Sequence, residues 1–295
     1  MKVGLCFPYY SKTEPTRDVM LSWFRRVDQG PFSSISCGER IVGPCVEMSA
    51  TLAAAAAVTE RIRIIPTLYV MPMHPAAWVA KHAATLDVLS GGRVTITVGV
   101  GGREHDYRCM DRSRSKLLSR MEQEVAAVRR LWAGEVPFEG TEPIGPRPLQ
   151  PGGPPIIAGV MAPRAIRRSA NWADGVYSWS GNGERAEIAP QIEGVRKAWG
   201  EAGRDRPPTH LAGFWYSLAP DSQRRLRQYV YDYVRLGGHK FAEAMANQMT
   251  RSTPDAVRAA LDAYEELGVD ECLLNAVTRD LAEIDNLAEV LAKRG

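Results

Sequence analysis

Residues 61–107, RIRIIPTLYVMPMHPAAWVAKHAATLDVLSGGRVTITVGVGGREHDY, constrain the fold more than any other stretch of this chain. Ile62, Ile64, Ile65, Leu68 and Val70 form an apolar, largely β-branched run of strand length. Pro75 then opens a helix in which Val79, Ala83, Leu86 and Leu89 recur at helical spacing, and Gly91-Gly92 ends it. Residues 93–98 read as a second strand, followed by a Gly-rich, charged loop. Strand, helix and strand in this order make a βαβ unit, whose two strands run parallel. In a parallel α/β fold the chemistry gathers where strands hand over to loops at their C-terminal ends. The expected site therefore lies at residues 68–74 and 99–107.

The same alternation runs through the rest of the chain. Further strands are expected at residues 2–8, 32–37, 155–159, 174–179, 209–218 and 270–275, with amphipathic helices between them. Residues 134–155 are dense in Pro and Gly and read as an ordered loop. Residues 224–249 are largely helical and read as an insertion between strands 7 and 8. Eight strands alternating with helices in 295 residues fit an α/β chain closed as a (β/α)8 TIM barrel, a fold of about 250 residues before insertions. An open doubly wound sheet is the runner-up. No Pro/Gly/Ser linker divides the sequence, so residues 1–295 are expected to form a single domain.

Charge and cysteine usage narrow the function classes. The net charge is +3, and the basic pairs Arg129-Arg130, Arg167-Arg168 and Arg224-Arg225 sit in helical patterns as solvated faces. No nucleic-acid surface is indicated. The five cysteines show no CxxC or Cys/His metal spacing, which suits a reducing cytoplasm without a disulfide framework or a metal site. The chain starts directly in a strand pattern, and no apolar run reaches membrane-spanning length. The expectation is a soluble cytoplasmic protein with neither nucleic acid nor membrane as partner.

Several residues near the expected strand ends carry chemical potential. Gly99-Val100-Gly101-Gly102 follows a strand, but Glu104 stands where a dinucleotide fingerprint needs its third Gly, and the next helical pattern starts only near Lys116. A glycine-lined wall beside a flat ligand and a simple tight loop both remain open. Arg103 to Tyr107 form a polar cluster at a barrel mouth, or a surface ion-pair loop. Gly159, Val160 and Met161 end the fifth strand before a helix whose free N–H groups and dipole suit a phosphate. Ser178 and Ser180 would add hydroxyls. Arg120 would add a fixed positive charge, or is a solvated helix residue. Glu39, ending the second strand, reads as a ring-contacting acid or proton donor, or as a salt-bridge partner of Arg40 or Arg61. His74 caps or lines the pocket, and His82 is structural. Tyr69, Met71, Trp179, Phe214 and Trp215 all lie near strand ends and would form an aromatic pocket, unless they are core.

At these residues the sequence resembles the luciferase-like monooxygenase superfamily of flavin- and F420-dependent (β/α)8 enzymes. The matching segments are residues 54–61, HPAAWVAKHAATLDVLSGGR at 74–93, GVGGREHDYR at 99–108, residues 146–175 and residues 253–267. The resemblance covers nearly the whole chain. It implies a non-prolyl cis peptide behind the flavin ring, at Leu68-Tyr69, with Gly99, Gly101 and Gly102 flanking the ring. It further implies that Arg120 and the backbone of Gly159, Val160 and Met161 hold the cofactor phosphate, and that Ser178-Trp179 matches a family Ser-Trp pair. One departure stands out. Many members carry His at the end of the second strand, where this chain has Cys37-Gly38-Glu39-Arg40.

The function so implied is a luciferase-like monooxygenase using reduced FMN and O2 on a small organic substrate. The lack of a nicotinamide fingerprint suits a two-component system with a separate flavin reductase, and family habit suggests a homodimer. Glu39, His74 and Asp106 are the expected catalytic residues. Two alternatives accompany this reading: an F420-dependent hydride-transfer oxidoreductase and a non-catalytic flavin-binding protein. A weaker third is an unrelated barrel aldolase or isomerase with Glu39 or Asp106 as base.

Overall fold

The computed structural model describes residues 1–294. Nine parallel strands follow one another around a barrel: β1 (Lys2–Cys6), β2 (Ser34–Cys37), β3 (Arg63–Pro66), β4 (Tyr69–Val70), β5 (Ile96–Gly99), β6 (Ile156–Gly159), β7 (Gly175–Trp179), β8 (Thr209–Tyr216) and β9 (Glu271–Ala276). β1 pairs with both β2 and β9, so the chain's first and last strands lie side by side. β3 and β4 are one barrel strand broken in the middle. β3 pairs with β2 and β4 pairs with β5. A parallel bridge between Ile64 and Val94 closes the ring. Counted this way, the fold is the expected (β/α)8 barrel.

The break contains a cis peptide between Thr67 and Leu68, one residue before the expected Leu68-Tyr69. β1 and β8 stop two residues short of their expected ends at the rim, whereas β2 and β5 start later than expected, at Ser34 and Ile96.

The helices are α1 (Arg17–Gln29), α2 (Met48–Val58), α3 (Ala76–Leu89), α4 (Glu104–Cys109), α5 (Leu117–Trp132), α6 (Pro163–Ser169), α7 (Arg185–Glu201), α8 (Ser222–Val234), α9 (His239–Asn247), α10 (Pro254–Glu266) and α11 (Ala282–Ala292). Side-chain caps start several of them. Thr16 accepts from Val19 N, Glu47 from Ser49 N and Ala50 N, and Thr253 from Ala256 N. α8, a 3-10 turn and α9 form the expected helical insertion between the last two strands. The segment expected to be a loop up to Lys116 instead contains α4. Its six residues, four of them polar or charged, show no apolar period, but Glu104 and Asp106 in its first turn suit a helix start. Among the described residues, no helix is long and apolar enough to cross a membrane.

Side chains alternate across each strand. Outward positions such as Leu5, Ile35, Val98, Ala158, Phe214 and Leu274 join the large core between barrel and helices. Inward positions Ile65, Ile157, Tyr177, Leu211 and Leu273 fill the lumen. At the N-terminal end Glu271, 1% exposed, accepts from Ser33 and Ser34 and pairs with Arg63. The barrel is thus packed through its middle and plugged at its base.

Candidate functional site

A cavity of about 210 Å³ opens at the C-terminal rim, above β4 and β5. Its floor is the broken third strand, which contributes Thr67, Leu68 and Val70. Leu68 lies over two strand glycines. A Cβ on Gly99 would stand 2.8 Å from a Leu68 methyl, and one on Gly159 would collide with the same side chain. A side chain at either position would push Leu68 from its place over them. Gly101 and Gly102 form one wall. Gly101 has φ +62° and packs on Val70, whereas a Cβ on Gly102 would meet open space.

Glu39 enters from the loop after β2. Its Oε2 accepts from Val70 N at 2.6 Å and its Oε1 is 2.6 Å from His74 Nε2, so the carboxylate ties the second strand end to the third. His74 in turn stacks on Trp78, with ring centroids 4.7 Å apart. Trp78 stacks on His82 at 5.1 Å. Burial, then Glu39 and Glu47, raise the Tyr69 phenol well above its usual value, so it stays protonated and donates to His82 Nδ1. Burial also lowers His82. Tyr69 therefore belongs to the packing of α3 on the barrel rather than to the cavity wall.

α4 places Asp106 and Tyr107 on the remaining side. Asp106 Oδ1 accepts from Val42 N at 2.8 Å and Ile41 N at 3.3 Å, which pins the loop after β2. Burial pushes the Tyr107 phenol up to about 12 against the opposing pull of Arg120 and Arg114, and its hydroxyl donates to Val100 O. Arg120 Nη2 donates to Pro72 O and Nη1 to Ser113 O, each at 2.6 Å. Its guanidinium braces the turn after β4 and leaves its remaining N–H groups for a ligand.

Tyr9, Arg103, Met73 and Tyr233 complete the lining. Tyr9 and Tyr233 hydroxyls lie 2.6 Å apart, which carries α8 across the mouth. Arg103 belongs to the polar cluster visible in the sequence. Tyr233 had no such signal, because an aromatic on an amphipathic helix reads as core. The aromatic pocket expected from Tyr69, Met71, Trp179, Phe214 and Trp215 is divided by strand alternation. Trp179 and Trp215 meet edge to face in the upper lumen, at 5.0 Å, and Trp215 reaches Tyr233 at 5.6 Å. Tyr69, Met71 and Phe214 pack outward in the large core. Ser178 also turns outward, its Oγ 3.4 Å from His210 Nε2. On the sixth strand end Val160 is buried and Met161 is exposed, just before Ala162 leads into α6.

Three comparisons bear on this geometry. A family model described as luciferase-like monooxygenase matches residues 1–283. The chain spans a little over half the length of the curated relatives it matches first, uncharacterized mycobacterial proteins that are 34% identical over 172 residues, 58% of their length. Among solved structures, monooxygenase RslO1 from Streptomyces bottropensis superposes with a TM-score of 0.80 at 24% identity, over 100% of this chain and 99% of the other. An F420-dependent secondary alcohol dehydrogenase in complex with an F420-acetone adduct gives 0.80 at 18%, over 98% and 97%. The oxygenating constituent of 3,6-diketocamphane monooxygenase from Pseudomonas putida, in complex with FMN, gives 0.75 at 15%, over 100% and 98%.

Proposed function

The chain belongs to the luciferase-like monooxygenase family, and from that premise we propose that it is a flavin-dependent monooxygenase acting on a small organic substrate at the rim cavity. Reduced FMN would supply the electrons with which O2 oxygenates that substrate. The observation that carries this reading is the packing of Leu68 over Gly99 and Gly159, beside the open face of Gly102. A planar ring needs such a floor and a wall without side chains. Leu68 and Val70 would support one face, and Gly101 and Gly102 would let the ring edge approach the backbone. The N–H groups of Gly159, Val160 and Met161, with the free N–H groups of Arg120, would hold the phosphate.

The chain's own work is then positioning and exclusion. Glu39, its two oxygens held by Val70 N–H and His74, would be the proton-transfer group on the cavity wall. Tyr9 and Tyr233 roof the site and exclude water. The separate reductase, a homodimer and a cytoplasmic setting belong to the same proposal.

The F420 reading is kept as a second, because the F420-dependent dehydrogenase shares the barrel over nearly the full length. Parallel titrations with FMN, reduced FMN and F420, followed by an oxygen-electrode assay, decide between them. The first reading expects reduced FMN to bind and substrate-dependent O2 uptake. Tight F420 binding without O2 uptake moves the protein to the second. Failure to bind any of the three sinks both.

A further inference from the structure

We propose that the substrate of this site is an organic anion, with a carboxylate or similarly charged oxygen received by Arg103 and, behind it, Arg40. The inference rests on the reading of the rim cavity as the active site. Its starting point is where the charges of the cavity find partners. The two carboxylates at the cavity are engaged: Glu39 by Val70 N and His74, Asp106 by Ile41 N and Val42 N. The two guanidiniums are not matched in the same way. Arg103 lines the cavity, and Arg40 is 5% exposed just behind it. Among the described residues neither forms an ion pair within 4.0 Å.

Both donate to one main-chain oxygen, and Arg40 also donates from Nε to Val42 O at 2.7 Å and lies 4.3 Å over the Tyr10 ring. Arg103 Nη2 lies 2.7 Å from Tyr233 O, and Arg40 Nη1 lies 3.4 Å from it. The two guanidiniums also sit over the Tyr233 ring, at 4.8 and 5.1 Å from its centroid. That carbonyl belongs to the last turn of α8, where the helix dipole offers about half of one negative charge. Arg40 is thus held by two carbonyls and two aromatic faces, whereas Arg103 on the cavity wall has one carbonyl and one aromatic face. Arg103 is half-buried on the cavity wall and keeps guanidinium N–H groups beyond the one given to Tyr233 O, and a guanidinium fork is suited to a carboxylate. An anion arriving in the cavity would give it the ionic partner it lacks. The paired hydroxyls of Tyr9 and Tyr233 on the same rim provide a donor for its second oxygen.

A consequence follows for entry. The 210 Å³ cavity is smaller than the about 300–1,000 Å³ usual for ligand sites. An anion that takes Arg103 away from Tyr233 O also loosens the end of α8. Recognition and opening of the roof are then one event.

The test uses benzoate and benzamide, the same ring with and without the charge, titrated into the cofactor-free and the FMN-loaded protein by calorimetry. The wild type should prefer benzoate by about tenfold, the scale of one charge-assisted contact of about 1.4 kcal/mol. Arg103→Gln should lose that preference, and Arg103→Lys should keep part of it. Added NaCl should weaken benzoate and leave benzamide unchanged, which tests the proposal even if Arg103→Gln fails to fold. Equal binding of the two probes, no binding of either at millimolar concentration, or a preference that survives in folded Arg103→Gln would overturn it. The last result would mean that Arg103 only caps α8. Benzoate preference without any FMN or F420 binding would sink the proposed function and leave this inference standing. Cofactor binding with no charge preference would do the reverse.

Discussion

On the outer face of β8, His210 is 3% exposed and meets the Ser178 hydroxyl. Burial pushes its imidazole down to about 4, with Asp270 opposing and Arg196 assisting. The unfolded chain has an ordinary imidazole near about 6.5. Above that pH both states are neutral and the site contributes its full stability. As pH falls from about 6.5 towards 4, the unfolded chain takes up a proton that the folded one refuses, and stability is lost. The loss from this one group should reach about 2 kcal/mol by pH 5. Urea unfolding of wild type and His210→Asn at pH 7.5 and pH 5 checks this. The variant should lose less on acidification, and an equal loss in both would remove His210 as the cause. Residues of this kind are hard to foresee. Ser178 was expected at the site because it ends a strand, yet it faces away, since Tyr177 and Trp179 take the inward positions of β7.

At the scale of elements, the loop at residues 134–155 shows how an irregular segment is held. Asp87 on α3, fully buried, accepts from Leu149 N, Gln150 N and Gln150 Nε2. Asp87→Ala would strand three donors and should cost about 3 kcal/mol, read as a lower urea midpoint. Proteolysis of the variant should cut first within residues 134–155. Nearby, Arg93 donates to the carbonyls of Ala56, Thr59, Ile62 and Ser90, so it fastens α2, β3 and the end of α3 together. The alternation of strands and helices was legible because long apolar periods mark it. The seat under Leu68 was legible only as glycines near strand ends. α4 was not legible, being short and polar, and neither was the break in the third strand, whose residues 62–70 read as one apolar run. The roof residue Tyr233 escaped because its role comes from where α8 lies across the rim, which no local pattern encodes.

Across the whole molecule, the sealed base and the candidate site sit at opposite ends of the barrel. The base is sealed by buried Glu271 and its half-buried partner Arg63, and the rim holds Glu39, Arg103 and the glycine wall. Arg63→Met should destabilise the fold by about 3–5 kcal/mol by leaving Glu271 unpaired, with FMN affinity unchanged in the folded fraction. Glu39→Gln should do the opposite, weakening turnover with little change in melting temperature. Calorimetric melting and substrate-dependent oxygen uptake of both variants, with FMN titration of Arg63→Met, separate the two ends; a common effect on melting and turnover in both variants would contradict the division.

The cavity's floor and walls are made by the barrel, but Tyr233 comes from a single detour of the chain, the α8–α9 hairpin. Lineages can therefore exchange that detour as one cassette. A chimera carrying a relative's detour should inherit the donor's appetite for substrates while keeping this barrel's choice of redox coenzyme.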